Sequence, residues 1–176
     1  MSFKYKALLI ITPLVFFLDQ LTKWLVMKSI PFHGSIPVMS GYFDIVFLRN
    51  TGAAFGMFAD MGEGIRNIFF YIVAMIAIIV LTAIYARLSH EARLLPIAIS
   101  LVFGGIAGNF LDRIRFGAVT DFLSVHIRDV AIEWTMFGRN IHMPLDWPAF
   151  NVADSAITVA MVLFIISAFR QDRRET

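Results

Sequence analysis

The chain contains no cysteine. That absence excludes a thiol nucleophile, a disulfide framework and a cysteine-held metal site. Charge is scarce too: only 16% of the 176 residues are Asp, Glu, Lys or Arg, and the formal net charge is +2. No basic stripe interleaves with aromatics, which argues against nucleic acid as a partner. Histidines are few and scattered: His33, His126 and His142 lie between the apolar runs and form no ligand spacing. The "HEARL" stretch at His90 begins like a zinc-protease motif, but no second histidine follows four residues on. There is no phosphate-binding glycine loop and no glycine-flanked nucleophile serine. A serine–lysine dyad through Lys23 finds no serine that stands out as its partner. Neither metal nor cofactor is expected.

What is present is apolar surface. Hydrophobic residues make up 59% of the chain, and the mean hydropathy is +0.75. A soluble domain of this size cannot hide that much. A membrane-spanning helix needs about 20 mostly apolar residues, and four stretches qualify, at about 7–27, 65–85, 94–111 and 150–169. The first follows Lys4 and Lys6 like a signal peptide, yet no small-residue cleavage site ends it and its helical pattern continues through Trp24, so a retained span is expected. No repeat or linker divides the chain, and residues 1–176 read as one membrane-embedded domain.

Short basic segments set topology. Lys4 and Lys6, the turn bearing Arg87 and Arg93, and the tail bearing Arg170, Arg173 and Arg174 should all be cytoplasmic. The long connections, about 28–64 and 113–147, then face outward. "GYFDIVFLRNTGAAFGMF" in the first mixes strand formers with Phe43, Phe47, Phe55 and Phe58, and suggests short strands on the membrane surface. In the second, "VAIEWTMFGRNIHMPLDW" suggests a hairpin turning at Gly138-Arg139-Asn140, with Trp134 and Trp147 suited to an interfacial belt. The expected fold is an all-α integral membrane protein of four helices with a small extracytoplasmic β-rich surface region.

The first span carries Asp19, Gln20 and Lys23, although a charge at mid-span costs at least about 2.5–3.5 kcal/mol. At a rise of about 1.5 Å per residue, Asp19 lies ~18 Å and Lys23 ~24 Å above the inner edge. The third span places Asn109 at ~22 Å and Asp112 at ~27 Å, and the descending fourth places Asp154 ~24 Å above Arg170. Asp121 follows span three closely, and Asn151 is one turn before Asp154. Separate placements thus converge on the outer third of a core about 30 Å thick. Asp19 and Lys23, at i and i+4, share a helix face, as do Asn109, Asp112 and Arg113. Ion pairing that merely holds helices together is an equal account of those charges. It accounts less well for Asp121 and Asp154, which have no basic residue at helical spacing. Gly104, Gly105 and Gly108 present a small-residue face suited to close helix approach. Two carboxylates a few ångströms apart share a proton. One takes a proton from water while the other polarises a carbonyl.

The ordered motifs "DQLTK" at 19–23, "RNTGAAFG" at 49–56, "GGIAGNFLDR" at 104–113 with "VTDF" at 119–122, and "FNVADS" at 150–155 resemble those of the lipoprotein signal peptidase (signal peptidase II) family over nearly the whole chain. The resemblance implies an aspartyl endopeptidase of the bacterial inner membrane, multi-pass, with both termini cytoplasmic and the active site near the outer face. It implies removal of signal peptides from diacylglyceryl-modified prolipoproteins, with the cut just before the lipid-bearing cysteine. By matching motifs, Asp121 and Asp154 are the catalytic pair, and Asp19, Lys23, Asn50, Asn109, Arg113 and Asn151 are supporting or substrate-binding residues. The expected partners are lipid-modified prolipoprotein signal peptides and membrane lipid, and the chain is expected to act as a monomer. The segment between the two aspartates is longer than the family pattern, and the hairpin accounts for the excess. The competing reading is a small proton-coupled transporter, which needs polar residues at several depths; spans two and four are apolar below the outer layer, so the path has no inner half.

Overall fold

The computed structural model describes residues 1–52, 62–136 and 139–175. Among the described residues, four helices are long and apolar enough to cross a membrane. They are α1 (Phe3–Ser29), α2 (Glu63–Arg87), α3 (Leu94–Phe116) and α4 (Val152–Glu175). The strands are β1 (Ser35–Met39), β2 (Phe43–Asn50), β3 (Val119–Met136) and β4 (Arg139–Asp146), in sheet order β1-β2-β3-β4. Every pairing is antiparallel.

Helix α3 is central: it packs on α1, α4 and α2. Its glycines explain the close approach. A Cβ at Gly104 would stand 2.6 Å from the Val15 Cβ of α1, and one at Gly105 2.7 Å from the Ala153 carbonyl oxygen at the start of α4. Small residues therefore let three backbones meet where larger ones would separate them. Lower in the bundle Ala98, Val102 and Ala160 fill the α3–α4 seam. At the N-terminal end of α1, Lys4 donates to the Ala86 and Leu88 carbonyls at 3.4 and 3.0 Å, and caps the last turn of α2.

The helix runs past the expected span end at 111 to Phe116, so Asp112 and Arg113 lie on it with Asn109 as their spacing indicates, and the connection expected from 113 begins at Gly117. Gly117 supplies the left-handed residue (φ 64°) that stops the helix, its N–H donating to the Arg113 carbonyl at 3.0 Å. The expected hairpin turn at 138–140 is also displaced. Met136 already pairs with Arg139, so Arg139 and Asn140 belong to β4; residues 137 and 138 lie outside the described residues. Residues 53–61, with Phe55, Phe58 and half of the second motif, lie outside as well, as does the Trp134 side chain.

The sheet is fastened above the bundle. Val26 and Ile30 at the end of α1 pack with Phe47 of β2 and Phe122 of β3. Register shifts between Ile45 and Leu48, so Val46 and Phe47 together oppose Phe122. A bulge bends a strand locally, and here both phenylalanines reach the apolar cluster. Next to it, the N–H groups of Phe122 and Leu123 donate to the Phe150 carbonyl at 3.0 and 2.8 Å, and Phe150 N–H donates to Leu123 at 3.0 Å. This clip ties the first part of β3 to the start of α4.

Candidate active site

Asp121 is the third residue of β3, opposite Leu48. Asp154 is in the first turn of α4. What joins them is Asn151. Its side-chain amide donates to Asp121 Oδ1 at 2.8 Å, and its backbone N–H donates to Asp154 Oδ2 at 3.2 Å. In return Asn151 Oδ1 accepts from the Asp154 N–H at 2.9 Å. The two residues form a reciprocal capping box, in which cap and third residue satisfy each other's backbone donors. The sequence Asn-x-x-Asp thus starts the helix and presents a carboxylate with the same atoms. Asn151 is fully buried.

The remaining supporting residues complete the shell. Asn50, the last residue of β2, donates to Asp121 Oδ2 at 3.0 Å and accepts the Gly52 N–H at 3.0 Å. Asn109 of α3 donates to Asp154 Oδ1 at 2.8 Å. Its oxygen accepts from Lys23 at 2.9 Å and from Asn151 at 3.2 Å. Arg113 lies over the Phe70 ring, 4.1 Å from its centre, and donates to the Gly52 carbonyl at 3.3 Å. The eight residues singled out by spacing and motif therefore meet in one place: Asp19 and Lys23 from α1, Asn50 from β2, Asn109 and Arg113 from α3, Asp121 from β3, and Asn151 and Asp154 at the start of α4.

Asp112 and Gln20 join them, although their spacing assigns neither a task. Asp112 does not pair with Arg113 beside it. It accepts the Thr120 N–H at 2.8 Å and lies 3.3 Å from Lys23. Gln20 donates to Asp19 at 3.1 Å, to Asp112 at 3.2 Å and to the Gly108 carbonyl at 3.2 Å. A helical i, i+4 pattern announces the Asp19–Lys23 pair, found at 2.8 Å, but no local signal announces a contact between α1 and α3. Thr120 is a third such residue. It is fully buried, and its hydroxyl accepts from Arg49 at 2.9 Å.

Both aspartates line a cavity of about 650 Å³ together with Asn50, Asn109 and Arg113. Its remaining wall is mostly apolar and includes Phe70, Trp147, Phe150, Ile157 and Val159. Burial first, and the Asp154 charge second, push the Asp121 carboxyl up from 3.8 to about 7, against the hydrogen bonds of Asn50 and Asn151 and the Lys23 charge. At neutral pH a proton is therefore available on a group that faces an apolar cleft. The arrangement suits a water-mediated attack on an amide carbonyl: a proton acceptor and a proton donor share one cavity.

The family model for signal peptidase (SPase) II matches residues 11–170. A lipoprotein signal peptidase of Syntrophotalea carbinolica is 39% identical over 171 residues, covering 97% of this chain and 96% of that one. One from Geobacter sulfurreducens is 39% identical over 158 residues, covering 90% and 88%. A solved structure described as a bacterial membrane enzyme superposes with a TM-score of 0.79 at 28% identity, covering 99% of this chain and 94% of its own.

Proposed function

The chain belongs to the signal peptidase II family, and from that premise we propose that it is an aspartic endopeptidase of the bacterial inner membrane that removes signal peptides from lipidated prolipoproteins. The single observation that carries the chemistry is the Asn151 bridge. One residue holds both carboxylates against the same cavity, by 2.8 and 3.2 Å hydrogen bonds. No nucleophilic side chain need intervene.

The Asp121–Asp154 pair carries one proton. The ionised carboxylate takes a proton from water, and the resulting hydroxide adds to the scissile carbonyl carbon. The protonated carboxyl gives its proton to the carbonyl oxygen, so the tetrahedral intermediate is a neutral diol. The proton first taken from water then passes to the amide nitrogen, the other carboxylate takes back a proton from one diol hydroxyl as the C–N bond breaks, the new carboxyl stays on the signal peptide, and the pair again carries one proton. Asn50, Asn109 and Asn151 hold the four carboxylate oxygens, and Arg113 stands at the cavity wall beside Gly52.

The substrate is itself a membrane helix anchored by lipid, so its cleavage point has a fixed depth. A polar layer in the outer third meets that point and still admits water from outside. Basic residues at both termini and in the 86–93 turn favour the cytoplasmic side for those segments. The apolar cavity wall suits an acyl chain or apolar side chains of the signal peptide. The transporter reading is left without support, because the matched family is one of peptidases. The test is purified protein in detergent with matched lipidated and unlipidated precursors. Cleavage of the lipidated form before its cysteine is expected, with little of the other. Equal cleavage of both would refute the lipid requirement.

A further inference from the structure

The residue before each of the two aspartates is held by its backbone. Thr120 N–H, preceding Asp121, donates to Asp112 Oδ2 at 2.8 Å. Ala153 N–H, preceding Asp154, donates to Asp19 Oδ1 at 3.0 Å. Asp112 and Asp19 come from different helices, yet both bind the same ammonium: Lys23 Nζ is 2.8 Å from Asp19 Oδ2 and 3.3 Å from Asp112 Oδ2. Its third contact is Asn109 Oδ1 at 2.9 Å, and Asn109 in turn donates to Asp154. An ammonium has three donors, and all three are engaged. Lys23, Asp19 and Asp112 are each at most 1% exposed, and none of them lines the cavity.

We infer that Lys23 is a positioning residue, the hub of a two-armed brace in which Asp112 grips the amide before Asp121 and Asp19 grips the amide before Asp154, so that one cation sets the spacing of the two reacting carboxylates. The inference rests on the aspartic reading above. Its physical logic is that the arms are strands of one device. β3 and α4 are separate elements: the backbone clip at Phe150 ties them through Phe122 and Leu123, after Asp121, and the brace ties them through the residues that precede the two aspartates. The Asn151 bridge orients the side chains, and the brace fixes the backbones from which they project. Gln20 donates to both arm carboxylates as well, sharing Asp19 Oδ2 with the ammonium and taking the other oxygen, Oδ1, of Asp112. Two carboxylates on one lysine would otherwise leave one of them poorly satisfied, and a buried carboxylate without partners is costly. With every donor engaged, Lys23 has none left for substrate, which separates it from Arg113 at the cavity wall.

A device with two arms behaves as a unit. Releasing either arm misplaces the pair, and releasing the second adds little. Two independent structural contacts would instead give losses that multiply. The experiment measures kcat and KM of Asp19→Asn, Asp112→Asn and the double variant on a lipidated precursor, well below each variant's melting temperature, with Asp121→Asn alongside. Each single change is expected to lower kcat by about ten- to a hundredfold, the range for a misplacement of about 1 Å, with KM unchanged. The double is expected to lose no more than the worse single. Multiplying losses, or falling melting temperature with unchanged kcat, would overturn the brace. If an Asn variant does not fold, Lys23→Arg against Lys23→Met decides: the arginine, which keeps a cation between the arms, should retain at least about tenfold more kcat per folded enzyme, and equal values would overturn it. Wild-type activity in Asp121→Asn would instead remove the aspartic reading itself, leaving the brace with nothing to position.

Discussion

Replacing Asn50 by alanine should move the alkaline limb of the pH–rate profile upward. Asn50 donates to Asp121 Oδ2 at 3.0 Å, and that bond favours the ionised carboxylate. With it in place the carboxyl sits at about 7. Removing it favours the protonated form, so the group holds its proton to higher pH. A hydrogen bond to a charged acceptor is worth about 1.5–3 kcal/mol, and one pKa unit is about 1.4 kcal/mol. Water entering the vacated space restores part of that, so the expected shift is about one unit. In the proposed mechanism activity needs one proton on the pair. The wild-type profile should therefore decline as pH rises through about 7 to 8 and the variant's about one unit later, while the acid limb, set by the pair as a whole, moves less. The assay is kcat/KM on a lipidated precursor in buffered detergent over about pH 5 to 10, because that ratio reports the free enzyme. An alkaline limb that stays in place, or moves down, would refute both the assignment of the shared proton and the sign of the Asn50 contribution.

Gly108→Ala should cost both stability and kcat, because a methyl there would run into the Asp19 carboxylate. Gly64→Ala, which meets open space in the first turn of α2, should leave the melting temperature level or raise it by the helix preference for alanine, up to about 1 kcal/mol. Thermal melts of the two purified variants check the contrast. With no native cysteine, cysteines placed at the exposed Ser35 and Ser89 read the topology: an impermeant thiol reagent on intact cells should label position 35 and spare position 89. Replacing residues 131–144 of the β3–β4 hairpin by a short Gly/Ser turn should weaken apparent substrate affinity and leave kcat within a few-fold; a lost kcat in folded protein would make the hairpin part of the site.

The helices were legible because the bilayer imposes a length and a hydropathy that a sequence displays directly. Their ends were less so. The third span reads as stopping at Leu111, where charge begins, yet backbone hydrogen bonding carries it to Phe116 and only Gly117 stops it. A hydropathy boundary marks where lipid ends, and a helix ends where its carbonyls find a cap. The polar layer was legible in depth, since rise per residue converts spacing to height. Its partners were not. Lys23 reads as the mate of Asp19 four residues earlier, and the structure gives it Asp112 and Asn109 of α3 as well. Those contacts depend on how α1 and α3 are rotated, which Gly104 settles by close approach to the α1 backbone at Thr12 and Gly108 by leaving room for the Asp19 side chain. Arg139 and Asn140 read as turn residues for a similar reason: Gly138 beside them attracts a turn prediction, whereas their pairing with Met136 and Thr135 places them in β4.

The central claim is that Asp121 and Asp154 together perform the cleavage, and the most direct measurement is the cleavage rate of purified Asp121→Asn and Asp154→Asn on a lipidated precursor, with folding monitored by circular dichroism and thermal melts. Each variant removes one titrating group and keeps the shape of the side chain, and general acid–base catalysis contributes about 10²- to 10⁴-fold. The account predicts that each loses at least that much activity while retaining a helical, cooperatively melting fold, and that the double variant is no worse than either single. Near wild-type cleavage by either folded variant would contradict it.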